Sequence, residues 1–288
     1  MASGTDPNSK PSGKKAPGQE PHDKQRSGQA LGTRKGPWTF VLDDPLQRAQ
    51  QFALNLREAL DRTMVGQAEA RAAMAAFAFQ AVLSGGGSCR RNRALLLGPS
   101  GCGKTLASRV FAQAWTDQLE KPAEGGVLEV EMSRYKEWSS AVDLFGDKAK
   151  PGVIGGYVAD HPAAVILVNG FEQAHENVLA SWPAILDGEQ RLLANGKTID
   201  FRRIIWLLCS TEGKALWGRT SPTNTAFCLD LSAVLNSPQT DRWGERKPDQ
   251  VPEELVARLA EGTTVLFRPA HGHHHFDLLI RTCTATWS

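Results

Sequence analysis

The sequence has no CxxC pair, no apolar run of membrane-spanning length and no apolar stretch near its start of the kind a secretory leader carries. Its five cysteines (Cys89, Cys102, Cys209, Cys228 and Cys283) follow no regular spacing. That excludes a cysteine-built metal framework, argues against structural disulfides and makes a reducing, cytoplasmic setting the expectation. An excess of one charge is missing too: 33 Lys and Arg face 31 Asp and Glu, for a net charge of +2. Residues 1–36 hold seven of the basic residues against Asp6, Glu20 and Asp23, so the remainder is slightly acidic. A nucleic-acid-binding face is therefore not expected there. Large apolar residues are nearly absent from 1–36, where Gly, Pro, Ser, Lys and Gln dominate. Such a segment cannot bury enough surface to offset its ordering entropy, and it is expected to be a disordered basic tail.

What is present describes an α/β domain. The chain has 288 residues, 41% hydrophobic and 22% charged, which suits one sizeable globular unit plus extras. Apolar positions at helical spacing mark 45–63 and 66–83. Short apolar runs at 94–97, 164–168, 204–210 and 263–267 and the alternating stretch 127–132 read as strands, with helices over 104–118, up to about 187, and over 252–261. Alternating strands and helices imply a parallel sheet covered on both faces. Residues 214–250, with three prolines and many polar residues, read as mainly irregular.

The strongest motif is "GPSGCGKT" at 98–105, which follows a strand and opens a helix. It meets the G-x-x-x-x-G-K-[ST] phosphate-loop pattern in full. Gly98, Gly101 and Gly103 allow the backbone of the loop, with Pro99, Ser100 and Cys102, to turn its N–H groups inward. Those groups and the helix N-terminus form a nest for phosphates. Lys104 would reach the β- and γ-phosphates of ATP, and the Thr105 hydroxyl would ligate Mg²⁺.

Several flanking segments resemble one family. "MVGQAEA" (64–70), "EMSRYKEWSS" (131–140), "LFG…PGVIGG" (144–156), "FEQAHENVLASWPAILDGEQRLLANGKTIDFRRIIWLLCST" (171–211) and "VPEELVARLAEGTTVLFRP" (251–269) are similar, in order and spacing, to the AAA+ module of Clp-type unfoldases. The resemblance is specifically to the C-terminal ATPase module of bacterial disaggregases. It implies a P-loop NTPase domain over 37–269, ATP and Mg²⁺ as cofactors, Val65 and Gly66 beside the adenine, and protein partners in a ring of its own copies or of active relatives. It implies neither nucleic acid nor membrane as a partner. Arg258 matches the arginine finger that reaches a neighbouring subunit's nucleotide.

The departures bear on function. The strand "AVILV" (164–168) ends in Asn169 and Gly170, where the family pattern has the magnesium-side aspartate and the catalytic glutamate. Asn169 can still hydrogen-bond a metal-bound water; Gly170 offers no base. Glu172 matches a later acid of the pattern, and Thr211 stands at the sensor asparagine. Val153 replaces the pore-loop aromatic, with Tyr157 nearby as a conceivable substitute or a packed loop residue. Only 19 residues follow Pro269, so most of the small helical lid is expected to be missing and 270–288 to be a remnant or tail.

Three readings follow. One is an ATP-binding module deficient in hydrolysis that acts through protein contacts. Another is an active unfoldase in which Glu172 serves as the base. The third is an interaction protein with weak nucleotide binding. "HGHHH" (271–275) has no ligand partner at matching spacing and reads as a polar turn. Cys102, at a helix start, is placed where a thiol pKa is lowered. His175 reads as a structural hydrogen-bonding residue.

Overall fold

Five parallel strands, mostly buried on both faces, organise the protein. The computed structural model describes residues 44–84, 92–119, 124–192, 198–212 and 251–269, with Leu231, Ala233 and Leu235 besides. All of them lie in the unit Lys35–Ser288. The expected basic tail at 1–36, the His-rich turn and the expected lid remnant at 270–288 lie outside the described residues.

In chain order the elements are α1 (Pro45–Thr63), α2 (Ala68–Leu83), β1 (Arg93–Leu97), α3 (Lys104–Gln118), β2 (Val127–Glu131), α4 (Ser140–Phe145), α5 (Val153–Asp160), β3 (Val165–Asn169), α6 (Glu176–Leu186), β4 (Gln190–Leu192), β5 (Thr198–Asp200), β6 (Ile205–Ser210), α7 (Glu253–Glu261) and β7 (Thr263–Leu266). The main sheet runs β2-β3-β6-β1-β7, and β4 and β5 form a separate antiparallel pair. Strand alternation divides the core in two. Leu95, Leu97, Ile166, Val168, Trp206 and Leu208 face the layer of α4, α5, α6 and α7. Ala94, Leu96, Val165, Leu167, Leu207 and Cys209 face α1, α2 and α3. The expected doubly covered parallel sheet is what the chain forms.

Local chemistry sets the helix starts. Asp44 caps α1 by accepting from the Leu46 N–H at 3.0 Å, with Pro45 at the first position. His175 caps α6 through Nδ1, which accepts from the Asn177 N–H at 3.2 Å. Helix α2 starts at Ala68 and not at 66, because Gly66 and Gln67 both have positive φ. The Gln67 amide then clamps the Arg268 backbone in both directions, at 2.7 and 2.9 Å, which ties this turn to the end of β7.

Two other expectations are corrected. The segment 144–156 contains the end of α4 and the start of α5. Tyr157 lies within α5, packed on the His161 ring at 4.5 Å, so it is no loop tyrosine, whereas Val153 at the helix start is 49% exposed. Within 214–250, Leu231, Ala233 and Leu235 are helical, and Leu231 and Leu235 are buried in the α6 layer. Their four-residue spacing places both on one helix face, which outweighs the polar composition around them.

Arg93 opens β1 and is only 1% exposed. Its guanidinium donates to the Leu186 carbonyl at 3.1 Å and to Glu261 at 2.8 Å, with Asp187 at 3.8 Å. It thereby joins the sheet to the ends of α6 and α7. Arg93→Ala should lower unfolding stability by about 2–4 kcal/mol, through a cavity and an unsatisfied carbonyl. Arg93→Met, which keeps the stem volume, should lose about half as much. Urea unfolding checks both; equal losses would contradict the packing contribution.

Candidate functional site

The carboxyl ends of β1, β3 and β6 meet at one edge, and a cavity of about 570 Å³ opens there. That is within the usual range for a small-molecule pocket. The loop after β1 forms its floor. Gly101 and Gly103 have φ of 77° and 101°, a region open to glycine and strained for other residues. Gly98 has a different constraint: an added Cβ would lie 2.7 Å from Phe267 Cβ. Lys104 is 8% exposed, and its Nζ donates to the Gly98 and Pro99 carbonyls at 2.6 and 2.7 Å.

The cavity gathers most of the expected residues. Ser100, Gly101, Cys102, Gly103, Lys104, Thr105, Val65, Asn169 and Thr211 all line it. Gly98, Pro99 and Gly66 are not among the lining residues. Glu172 and Arg258 are not part of the wall either. Glu172 instead accepts from the Thr211 N–H and hydroxyl, both at 3.3 Å. Arg258 pairs with Asp187 at 2.8 Å, in the cluster around Arg93 at the opposite end of β1.

Sequence reasoning missed Glu129 and Glu131, which project from β2 into the same cavity. Their alternation on β2 was the available signal. Asn169 Nδ2 donates to Glu129 at 2.8 Å, and Thr105 Oγ1 lies 3.5 Å from Asn169 Oδ1. Among the described residues no group of three His, Cys, Asp or Glu could hold a metal by itself. The donors that converge here are oxygens, which suit Mg²⁺ shared with phosphate. Gly170 follows Asn169 with φ of 60°, so a glutamate there would adopt a strained backbone.

The expected lowering of the Cys102 pKa is corrected. Burial raises the Cys102 pKa despite Lys104 and the helix start, and burial pushes Cys209 up to about 11. Neither is poised as a nucleophile.

Burial also raises the Glu172 pKa above the usual 4.5, against hydrogen bonds from its own backbone, Thr211 and Ser210. A raised folded-state pKa stabilises below about 4.5, and that stabilisation is lost as pH rises through the folded value. Glu172→Gln keeps an acceptor for Thr211 and removes the titration. Its Tm relative to the unsubstituted protein should therefore rise between pH 4.5 and 7; a difference independent of pH would contradict the burial account.

Comparison with known proteins bears on the family and the fold. The family model for the AAA domain (Cdc48 subfamily) matches residues 91–241, just over half of the chain. The chain is 30% identical over 267 residues to the chaperone protein ClpB 2 of Thermosynechococcus vestitus, covering 84% of this chain and 25% of that protein. It is 32% identical over 243 residues to ClpB 1 of Synechococcus elongatus, covering 81% and 24%. The chain thus spans about a quarter of the length of the curated relatives it matches. Among solved structures, Hsp104 with ATPγS and FITC casein, in a closed state, superimposes with a TM-score of 0.53 over 75% of this chain and 35% of that one. Identity there is 21%, so that likeness shows the fold. Among the described residues no helix is long and apolar enough to cross a membrane. The chain belongs to the AAA+ family, as a Clp-type P-loop NTPase module.

Proposed function

We propose that this protein binds ATP with Mg²⁺, holds it without efficient hydrolysis, and acts as a structural or regulatory module through protein contacts. The observation that carries the reading is the pairing of a complete phosphate loop with a β3 end that offers Asn169 and Gly170 in place of acids. The loop N–H groups and Lys104 would hold phosphates, and Thr105 and Asn169 would hold the cation. The cation would neutralise phosphate charge. No carboxylate on β3 is placed to take a proton from water, and loss of a general base costs about 10²–10⁴-fold.

The active-unfoldase reading is disfavoured by Glu172, whose carboxylate is committed to Thr211 and stands outside the cavity wall. Arg258 acts on a neighbouring copy's nucleotide only in an assembly, in a ring of its own copies or mixed with an active Clp relative. The two buried free thiols, Cys102 and Cys209, suit a reducing cytoplasm.

At ATP one hundred times above Kd, with Mg²⁺, binding stabilises the fold by about 2.7 kcal/mol. That corresponds to a Tm rise of about 5–10 °C. Lys104→Ala should abolish the rise, and phosphate release should stay at background in both proteins. Turnover that disappears in Lys104→Ala would overturn the hydrolysis-deficient reading.

A further inference from the structure

The cavity lacks an acid on β3 but not negative charge. Strands β2 and β3 pair in parallel with Glu131 level with Asn169. Glu129, two residues earlier on the same face, therefore reaches the Asn169 side chain, whose Nδ2 donates to it at 2.8 Å. Arg109, on α3, grips both Glu129 oxygens at 2.8–3.0 Å. An ionised carboxylate only accepts hydrogen bonds, so the amide end facing Glu129 must be the NH₂. The carbonyl end, Oδ1, is thereby turned toward the Thr105 hydroxyl, 3.5 Å away.

We propose that Glu129, steadied by Arg109, is a positioning residue for the cation side of the pocket. It holds Asn169 with its oxygen toward Thr105 and carries, one strand over, the negative charge that the end of β3 lacks. The inference rests on the reading of the cavity as a MgATP site. Oxygen donors from Thr105 and Asn169, backed by Glu129 and Glu131, match what Mg²⁺ prefers. Arg109 is 63% exposed and Glu129 34%, so their ion pair adds little stability; its effect is orientation.

The arrangement makes residues 129 and 169 a matched pair, one acid and one amide. Asn169→Asp alone sets two carboxylates at hydrogen-bond distance, a like-charge pair in place of a hydrogen bond. Adding Glu129→Gln exchanges the partners and restores one acid with one amide. Asn169→Asp is therefore accommodated only together with Glu129→Gln.

The test uses the full chain with Asn169→Asp, Glu129→Gln, both together, and Glu129→Ala. In EDTA without nucleotide, Asn169→Asp should lower Tm by about 3 °C at low salt, and the double variant should recover most of it. Titrations with ATP in EDTA and with ATP plus excess Mg²⁺ give the affinity gained from the cation. That ratio should fall about tenfold in Glu129→Ala and return in the double variant. A purely structural Glu129 would lower Tm and leave the ratio unchanged, which would overturn the proposal. Additive Tm effects of the two substitutions would also overturn it. If the unsubstituted protein binds no ATP in either titration, the MgATP reading falls and the cation-side role with it. The nucleotide-free Tm cycle would still separate that failure from failure of the Glu129–Asn169 pairing.

Discussion

The pocket depends on the parallel register of β1, β6 and β3. Leu97 lies level with Ser210, and Asn169 with Cys209, so the loop after β1 and the ends of β3 and β6 reach one edge together. In a parallel α/β sheet this carboxyl edge is where ligands bind. The register is held by burial on both faces: a slip of one residue would exchange the two sets of apolar side chains between their layers. Arg93 secures the opposite end of β1 to α6 and α7, and the Gln67 clamp on Arg268 fixes the wall that carries Val65. The phosphate loop is thus braced from both sides.

On the proposed reading the end of β3 is a local change of chemistry: Asn169 would keep the place and roughly the size of the family's acid without its charge. Gly170 adopts a left-handed conformation with no side chain to offer. The two changes differ in kind. Asn169 has a carboxylate within hydrogen-bond distance in Glu129, whereas Gly170 has no side chain, and the other carboxylate on the cavity wall, Glu131, comes from β2. On the proposed reading the cation side of the site keeps a negative charge in Glu129 and the water-activating side has no group from Gly170, an asymmetry that would favour binding over turnover.

Much of this was legible in the amino-acid sequence because it is local. Residues 98–105 carry a complete motif, and the strands announce themselves as apolar runs. Asn169 and Gly170 stand out because the flanking segments keep family order. What was not legible arises between segments distant in sequence. Glu129 looks like the solvent-facing half of an alternating strand until β2 is laid beside β3. Arg93 looks like a loop charge until α6 and α7 close over it. The Cys102 thiol sits at a helix start, which alone would lower its pKa, yet burial prevails. Leu231 and Leu235 are hidden among polar and proline-rich neighbours, and their burial comes from the α6 layer.

The central claim is that a complete phosphate loop here serves retention of ATP and not its cleavage. The most direct measurement is the chemical identity of nucleotide recovered from the protein. The chain would be incubated with ATP and Mg²⁺ for many times the turnover of an ordinary ATPase, separated from free nucleotide, denatured and extracted. The account predicts stoichiometric intact ATP from the unsubstituted protein and none from Lys104→Ala. Recovery of ADP that depends on Lys104, or of no nucleotide from the unsubstituted protein, would contradict it.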